Sequence, residues 1–162
     1  MSFSVNTYSP TDVTLSFGGY VLTGWNTINI QRVYAGMTAV DGINGKNTRV
    51  RNNNTAAVIN FSCLQSGESN DILSQIHALD LQTGSARISL TLKDLSGSSI
   101  FTSSEAYILQ YPEVVFSDSF EYRVWSIRCN TSDGWIVGGN LRPSTSLFDS
   151  ALSTISDIAG LI

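Results

Sequence analysis

His77 is the single histidine of the sequence, and Cys63 and Cys129 are its two cysteines. An imidazole beside a nucleophile would suggest general-base chemistry, and thiolates with imidazoles would suggest zinc. Neither arrangement is in place. His77 follows Ile76 in a helix-like run, and no Ser, Cys or Asp motif points to it, so a packed or surface helix position is expected. The cysteines lack CxxC partners, and with one histidine they cannot build a zinc site within one subunit without carboxylates. Reduced, buried thiols are expected instead. The 13 carboxylates are scattered, and no spacing selects a glycosidase-like pair. GxSxG, P-loop and GxGxxG motifs are absent. Gly18-Gly19 and Gly138-Gly139 end strand-like runs, where glycine serves backbone geometry. No catalytic, cofactor-binding or metal-ligating residue is therefore expected, and no enzyme.

The one concentrated set of charges is GINGKNTRVRNNNT, residues 42–55. Lys46, Arg49 and Arg51 fall close together, and no acid lies between Asp41 and Glu68. Three chemistries fit. Cations can grip phosphate, but a nucleic-acid reader normally adds aromatic platforms, and Tyr34 and Phe61 lie outside the cluster. The segment can be a solvated loop. It can also pair with acids of another copy, because the window 105–121 carries Glu105, Glu113, Asp118 and Glu121 with no base. If the two patches differ, such a contact is heterologous and repeats into rings or filaments.

The elements that position these residues are mostly strands. Val13, Leu15 and Phe17 alternate with Thr14 and Ser16; Ile28 and Ile30 alternate with Asn29 and Gln31. Ala57, Ile59, Phe61 and Cys63 share one face, as do Ile88, Leu90 and Leu92, then Ala106 and Ile108, then Trp125, Ile127 and Cys129. Asp94 to Gly97 supplies turn chemistry, and Trp135-Ile136-Val137 is a last short run. One segment, 69–83, breaks the period. Ile72, Ile76 and Leu79 recur at helical spacing, with Ser69 as expected N-cap and Gly84 as C-cap. Residues 143–162 repeat Leu147, Phe148, Ala151, Leu152, Ile155 and Ile158 at helical spacing, and are expected as an amphipathic extension. The expected fold is mainly β, two packed antiparallel sheets as a sandwich or barrel, with one flanking helix and a helical C-terminal tail. The expected division is 1–142 as one β domain, including an extended loop at 34–54, and 143–162 as the extension.

The 162-residue length suits one domain with a real core. Charged residues are 14% of the chain against an average near ~25%, and uncharged polar residues fill the gap, which suits half-buried strands and extensive protein contacts. A net charge of −4 argues against a sequence-reading nucleic-acid binder. MSFSVNTYSP does not read as a signal peptide, and no run reaches membrane-spanning length. The N-x-[ST] triplets at Asn53, Asn60 and Asn130 are expected as chance matches without secretion.

VRNNNTAAVINFSCLQSGESNDILSQIHALDLQTG, the later LKDLSGSS, the closing CNTSDGWIVGGN and the opening SPTDVTLSFGG resemble, in order, the tail tube proteins of contractile-tailed bacteriophages. The resemblance runs over roughly residues 8–140. It implies a subunit of hexameric rings whose sheets join into a β-lined channel, stacked into a tube inside a contractile sheath. Partners implied are further copies of the chain, the tail sheath protein, baseplate and tail terminator proteins, and genomic DNA passing without sequence-specific binding. No membrane anchoring is implied, and the location is the virion tail, assembled in the host cytoplasm. In such tubes a long loop or hairpin reaches the next ring. Residues 34–54 hold that place, so Lys46, Arg49 and Arg51 would pair with Glu113, Asp118 and Glu121 of a neighbour. DNA must slide without sticking, so lumen-facing positions should be neutral or acidic. Asn60, Ser62, Ser89 and Thr91 are the lumen-facing candidates, and Lys93 there would need an acid such as Asp94 to offset it. The alternatives are a tube subunit of a related protein-translocating or bacteriocin injection machine, and a monomeric β-barrel that binds a small apolar ligand.

Overall fold

In the computed structural model the described residues are 7–85, 87–139 and 160. A short 3-10 turn at Pro10–Asp12 leads into β1 (Val13–Phe17), β2 (Tyr20–Val21), β3 (Trp25–Arg32), β4 (Met37–Asp41), β5 (Asn47–Arg51) and β6 (Ala57–Leu64). Helix α1 (Ser69–Thr83) follows, then β7 (Ile88–Asp94), β8 (Ile100–Gln110), β9 (Tyr122–Cys129) and β10 (Gly134–Ile136). The helical extension expected over 143–162 lies outside the described residues, apart from Gly160.

All pairing is antiparallel. The large sheet has the order β2-β1-β7-β8-β9-β6-β3, and β4 with β5 forms a separate two-stranded sheet. A strand with period-two patterning must bury one face, and the register stacks those faces into rows. Ile30, Ile59, Ile127 and Ile108 form one row; Ile28, Phe61 and Trp125 form the next. On the other half, Leu15, Leu92, Phe101 and Trp135 align, beside Phe17 opposite Leu90. The two halves face each other. Ile28 and Ile30 of edge strand β3 line the same cavity of about 260 Å³ as Val13, Leu92, Phe101 and Trp135. Flat, β1 and β3 would stand about 24 Å apart at ~4.8 Å per strand. The core is therefore enclosed by one curled sheet. The closed barrel among the expected architectures is corrected, because β3 and β2 remain unpaired edges and the seam between the halves stays open as that cavity. The second sheet is the small β4-β5 hairpin.

One long strand, β8, serves two partners on one edge. Its residues 100–102 pair with β10 and its residues 106–110 with β9, while β7 holds the opposite edge. Residues 130–133 bridge the interruption with Asn130 N–H to Glu105 O at 2.8 Å and Asp133 N–H to Thr102 O at 2.9 Å. Gly18 turns β1 into β2 at φ +63°, and a Cβ there would meet the Ile88 side chain at 2.7 Å.

Helix α1 occupies the expected span, and Gly84 ends it in the left-handed region with its N–H on Asp80 O. Two details differ. Glu68, not Ser69, precedes the helix, and the Ser69 hydroxyl instead donates to Thr23 O at 2.9 Å and accepts from Thr23 N at 3.0 Å. The buried stripe is Ser69, Asn70, Leu73 and His77, whereas Leu79 is 56% exposed. The reason is Asn70. Its side chain accepts the Trp125 indole N–H at 2.9 Å and donates to Leu64 O at 2.8 Å, which turns that face toward the sheet.

Candidate interaction surface

The cationic segment is built as a projecting hairpin. Met37 lies opposite Arg51, Ala39 opposite Arg49, and Asp41 opposite Asn47, with the turn at Gly42–Lys46. Every residue of β4 and β5 is exposed. Opposed residues share a face, so Met37, Ala39, Arg49 and Arg51 lie on one side and Thr38, Val40, Thr48 and Val50 on the other. The turn carries Lys46 and the fully exposed Ile43. Asn52 and Asn54 explain the Asn run at the hairpin's return. Asn52 Oδ1 accepts from Asn54 N–H at 2.9 Å, and Asn54 Oδ1 from Ala56 N–H at 3.0 Å. These side chains satisfy backbone donors where no strand partner exists.

The expected acidic partners share one connection. Glu113, Asp118 and Glu121 all fall on the connection 111–121 between β8 and β9. This connection is held by its own serine: the Ser117 hydroxyl donates to Glu121 Oε1 at 2.9 Å, and Glu121 N–H donates to Gln65 Oε1 at 3.2 Å. Apolar side chains stand among the acids, with Phe116 75% exposed and Val114, Val115 and Phe120 also exposed. The Arg123 guanidinium lies 5.7 Å from the Phe116 ring centre.

Within one subunit the two patches are apart. β6 begins at Ala57, next to the hairpin return, and ends at Leu64 opposite Tyr122, next to the acidic connection. That separation is about 23 Å at ~3.3 Å per residue. Among the described residues the ion pair is Arg87 with Glu105, at 3.7 Å and exposed, and none of Lys46, Arg49 and Arg51 is within ion-pair distance of a described acid.

Asn60, Ser62, Ser89 and Thr91 lie on the face of the large sheet opposite the core, by alternation with their buried neighbours. They are not one cluster. Asn60 pairs across to Ser126, which faces Gln110 of β8, whereas Thr91 faces Thr102 of β8. The Asn29–Asn60–Ser126–Gln110 row is uncharged, and Ser126 Oγ donates to Asn60 Oδ1 at 2.9 Å. Ser62 is only 8% exposed. Lys93 is exposed beside the Ser89 and Thr91 pair and makes no ion pair among the described residues, whereas Asp94 is buried, its Oδ1 accepting from Ser96 N–H at 3.0 Å and Ser96 Oγ at 2.6 Å.

His77 is buried, with its ring edge-on to Tyr111 at 4.5 Å between centres, and its Nδ1 has no hydrogen-bond partner. Both cysteines are free and buried. Burial raises the Cys63 thiol, partly offset by Arg123, and pushes Cys129 up to about 11 against a hydrogen bond with Ser103. Among the described residues no group of His, Cys, Asp and Glu is placed to hold a metal ion, and no helix is long and apolar enough to cross a membrane. Sequence reasoning missed Arg32. It ends the inward row of Ile28 and Ile30, opposite Ala57, a position where alternation calls for an apolar residue.

No protein-family model matches the chain. Among solved structures, the anti-feeding prophage cap, a tube terminating cap determined by cryo-electron microscopy, shares the fold with a TM-score of 0.51, covering 82% of this chain and 93% of that one at 12% identity. Structural protein ORF10 of Pseudomonas phage KPP10 is 32% identical over 160 residues, covering 92% of this chain and 92% of that protein. The chain therefore belongs to the family of phage structural proteins represented by ORF10 of that phage.

Proposed function

We propose that the chain is a repeating subunit of a phage tail tube. Hexameric rings of it would stack head to tail into the conduit for DNA ejection, inside a contractile sheath. The observation that carries this reading is the polarity of the subunit: a cationic hairpin projects from one end of β6 and an acidic, partly apolar connection sits at the other. Stacked along the strand direction, one copy would bring Arg49 and Arg51 toward Glu113, Asp118 and Glu121 of the next. The contact is heterologous and leaves both outer ends free, which is the condition for open growth. Unpaired edges on β3 and β2 offer lateral pairing within a ring. The uncharged row at Asn60 suits a lumen that lets phosphate pass, although Arg128 opposite Val58 borders it as Lys93 borders Thr91. Baseplate and terminator proteins would meet the two ends, and the sheath the outside. The work is assembly rather than catalysis, and the place is the virion tail.

A second reading makes the chain the end ring of such a tube, as the name of the anti-feeding prophage cap gives for that protein. The presence of both charged ends favours the repeating subunit. Negative-stain electron microscopy of the purified protein across a concentration series, with and without phage tail fragments as seeds, separates them. Uniform hollow tubes are expected. Rings that cap the fragments without lengthening them would favour the end ring, and particles that stay monomeric in both series would sink both.

A further inference from the structure

The hairpin root holds a cationic crevice of about 330 Å³, lined by Arg32, Gly36, Met37, Arg51, Asn53 and Thr55 with Asn52. No acid lines it. Arg32 reaches it from the core side: Nη2 donates to Asn54 O at 3.1 Å, and Nη1 lies where a Cβ on Gly36 would stand, at 2.9 Å. Its Nε is buried with no hydrogen-bond partner. A guanidinium has donors in a fixed fork that match a carboxylate, and a buried donor left unpaired is costly. Bracing Asn54 uses one donor and leaves that cost unexplained.

We propose that this crevice is a carboxylate receptor for a second copy of the chain, and that its occupant is the Glu113 side chain of that copy. The proposal rests on the head-to-tail stacking above and adds the residue that anchors it. Of the three acids on the 111–121 connection, Glu121 already accepts from Ser117, and Asp118 shares a crevice with Arg123. Glu113 is exposed and has no hydrogen bond or ion pair among the described residues. It also stands beside the exposed Val114 and Val115, which can meet Met37 at the crevice rim. Arg32 and Arg51 then take the carboxylate between them, while Arg49 and Lys46 lie farther out along the hairpin.

The test is a thermodynamic cycle on the critical concentration for tube growth, measured by sedimentation from seeded full-length protein at low salt. Arg32→Gln retains a donor toward Asn54, and Glu113→Gln retains the shape of an exposed side chain. Each is expected to raise the critical concentration about tenfold or more, and the double variant is expected to raise it no further than the worse single one. Effects that multiply would show that the two groups do not meet. A neutral Glu113→Gln, with Arg32→Gln lowering only the thermal midpoint of the monomer, would reduce Arg32 to a brace and overturn the proposal. In either of those cases wild-type tubes still grow, so stacking survives; a wild-type chain that cannot extend seeds overturns stacking and receptor together.

Discussion

Trp125 and Asn70 show how much one polar pair can direct. The indole N–H is buried, so it needs an acceptor, and Asn70 supplies it while tying the end of β6. Asn70→Ala strands that donor, and a loss of about 1–3 kcal/mol is expected, read from urea unfolding. The thiols make a second test. An unfolded thiol titrates near 9.0 and Cys129 in the fold at about 11, so between these values the unfolded chain binds fewer protons. The stability held below pH 9 is thus lost as the pH rises toward 11, and Cys129→Ala should flatten that part of the profile. Iodoacetamide at pH 8 should label neither cysteine until denaturant is added. Sequence alone reads both cysteines as buried, because they extend the alternating apolar rows. It does not read Arg32, because a long side chain can occupy an inward position and carry its charge out past the end of the core.

At the level of elements, strands with clean alternation were legible: β1, β6, β7 and β9 bury the faces their patterns assign. The span of α1 was legible from its spacing and its Gly84 end, but its N-cap and the phase of its buried stripe were not, since the Trp125 bond and the Ser69–Thr23 pair set the helix rotation from outside the helix. The ordered strands β4 and β5 within 34–54 were not legible, because no residue of either strand is buried and no apolar period marks them. A two-stranded sheet with no core beneath it is marginal by itself. Arg49→Ala with Arg51→Ala should therefore leave monomer stability within about 0.5 kcal/mol of wild type, while abolishing seeded growth. Hydrogen exchange should be fast at β4 and β5 amides in the monomer and slow in tubes.

For the whole molecule, the sign and place of charge matter more than its sum. The net −4 conceals a cationic end and an acidic end. Pairing between such exposed ends is screened within about 8–10 Å at ordinary salt. Raising sodium chloride should shorten tubes or raise the critical concentration steeply, with no matching change in the monomer's thermal midpoint. That cations and acids stand in separate windows was legible in the sequence. That the ends lie at opposite limits of the same strand was not, because it depends on the register of β6 with β9.

The hairpin contributes exposed residues to both its faces and none to the core. Substitution there carries little folding penalty, so, if the hairpin grips a neighbour as proposed, that grip can drift while the fold stays put. Two phages sharing this scaffold in one host cell would then come to build separate tubes from a mixed pool of subunits. Recognition of self would then be written on a detachable surface, with the body of the protein taking no part in the distinction.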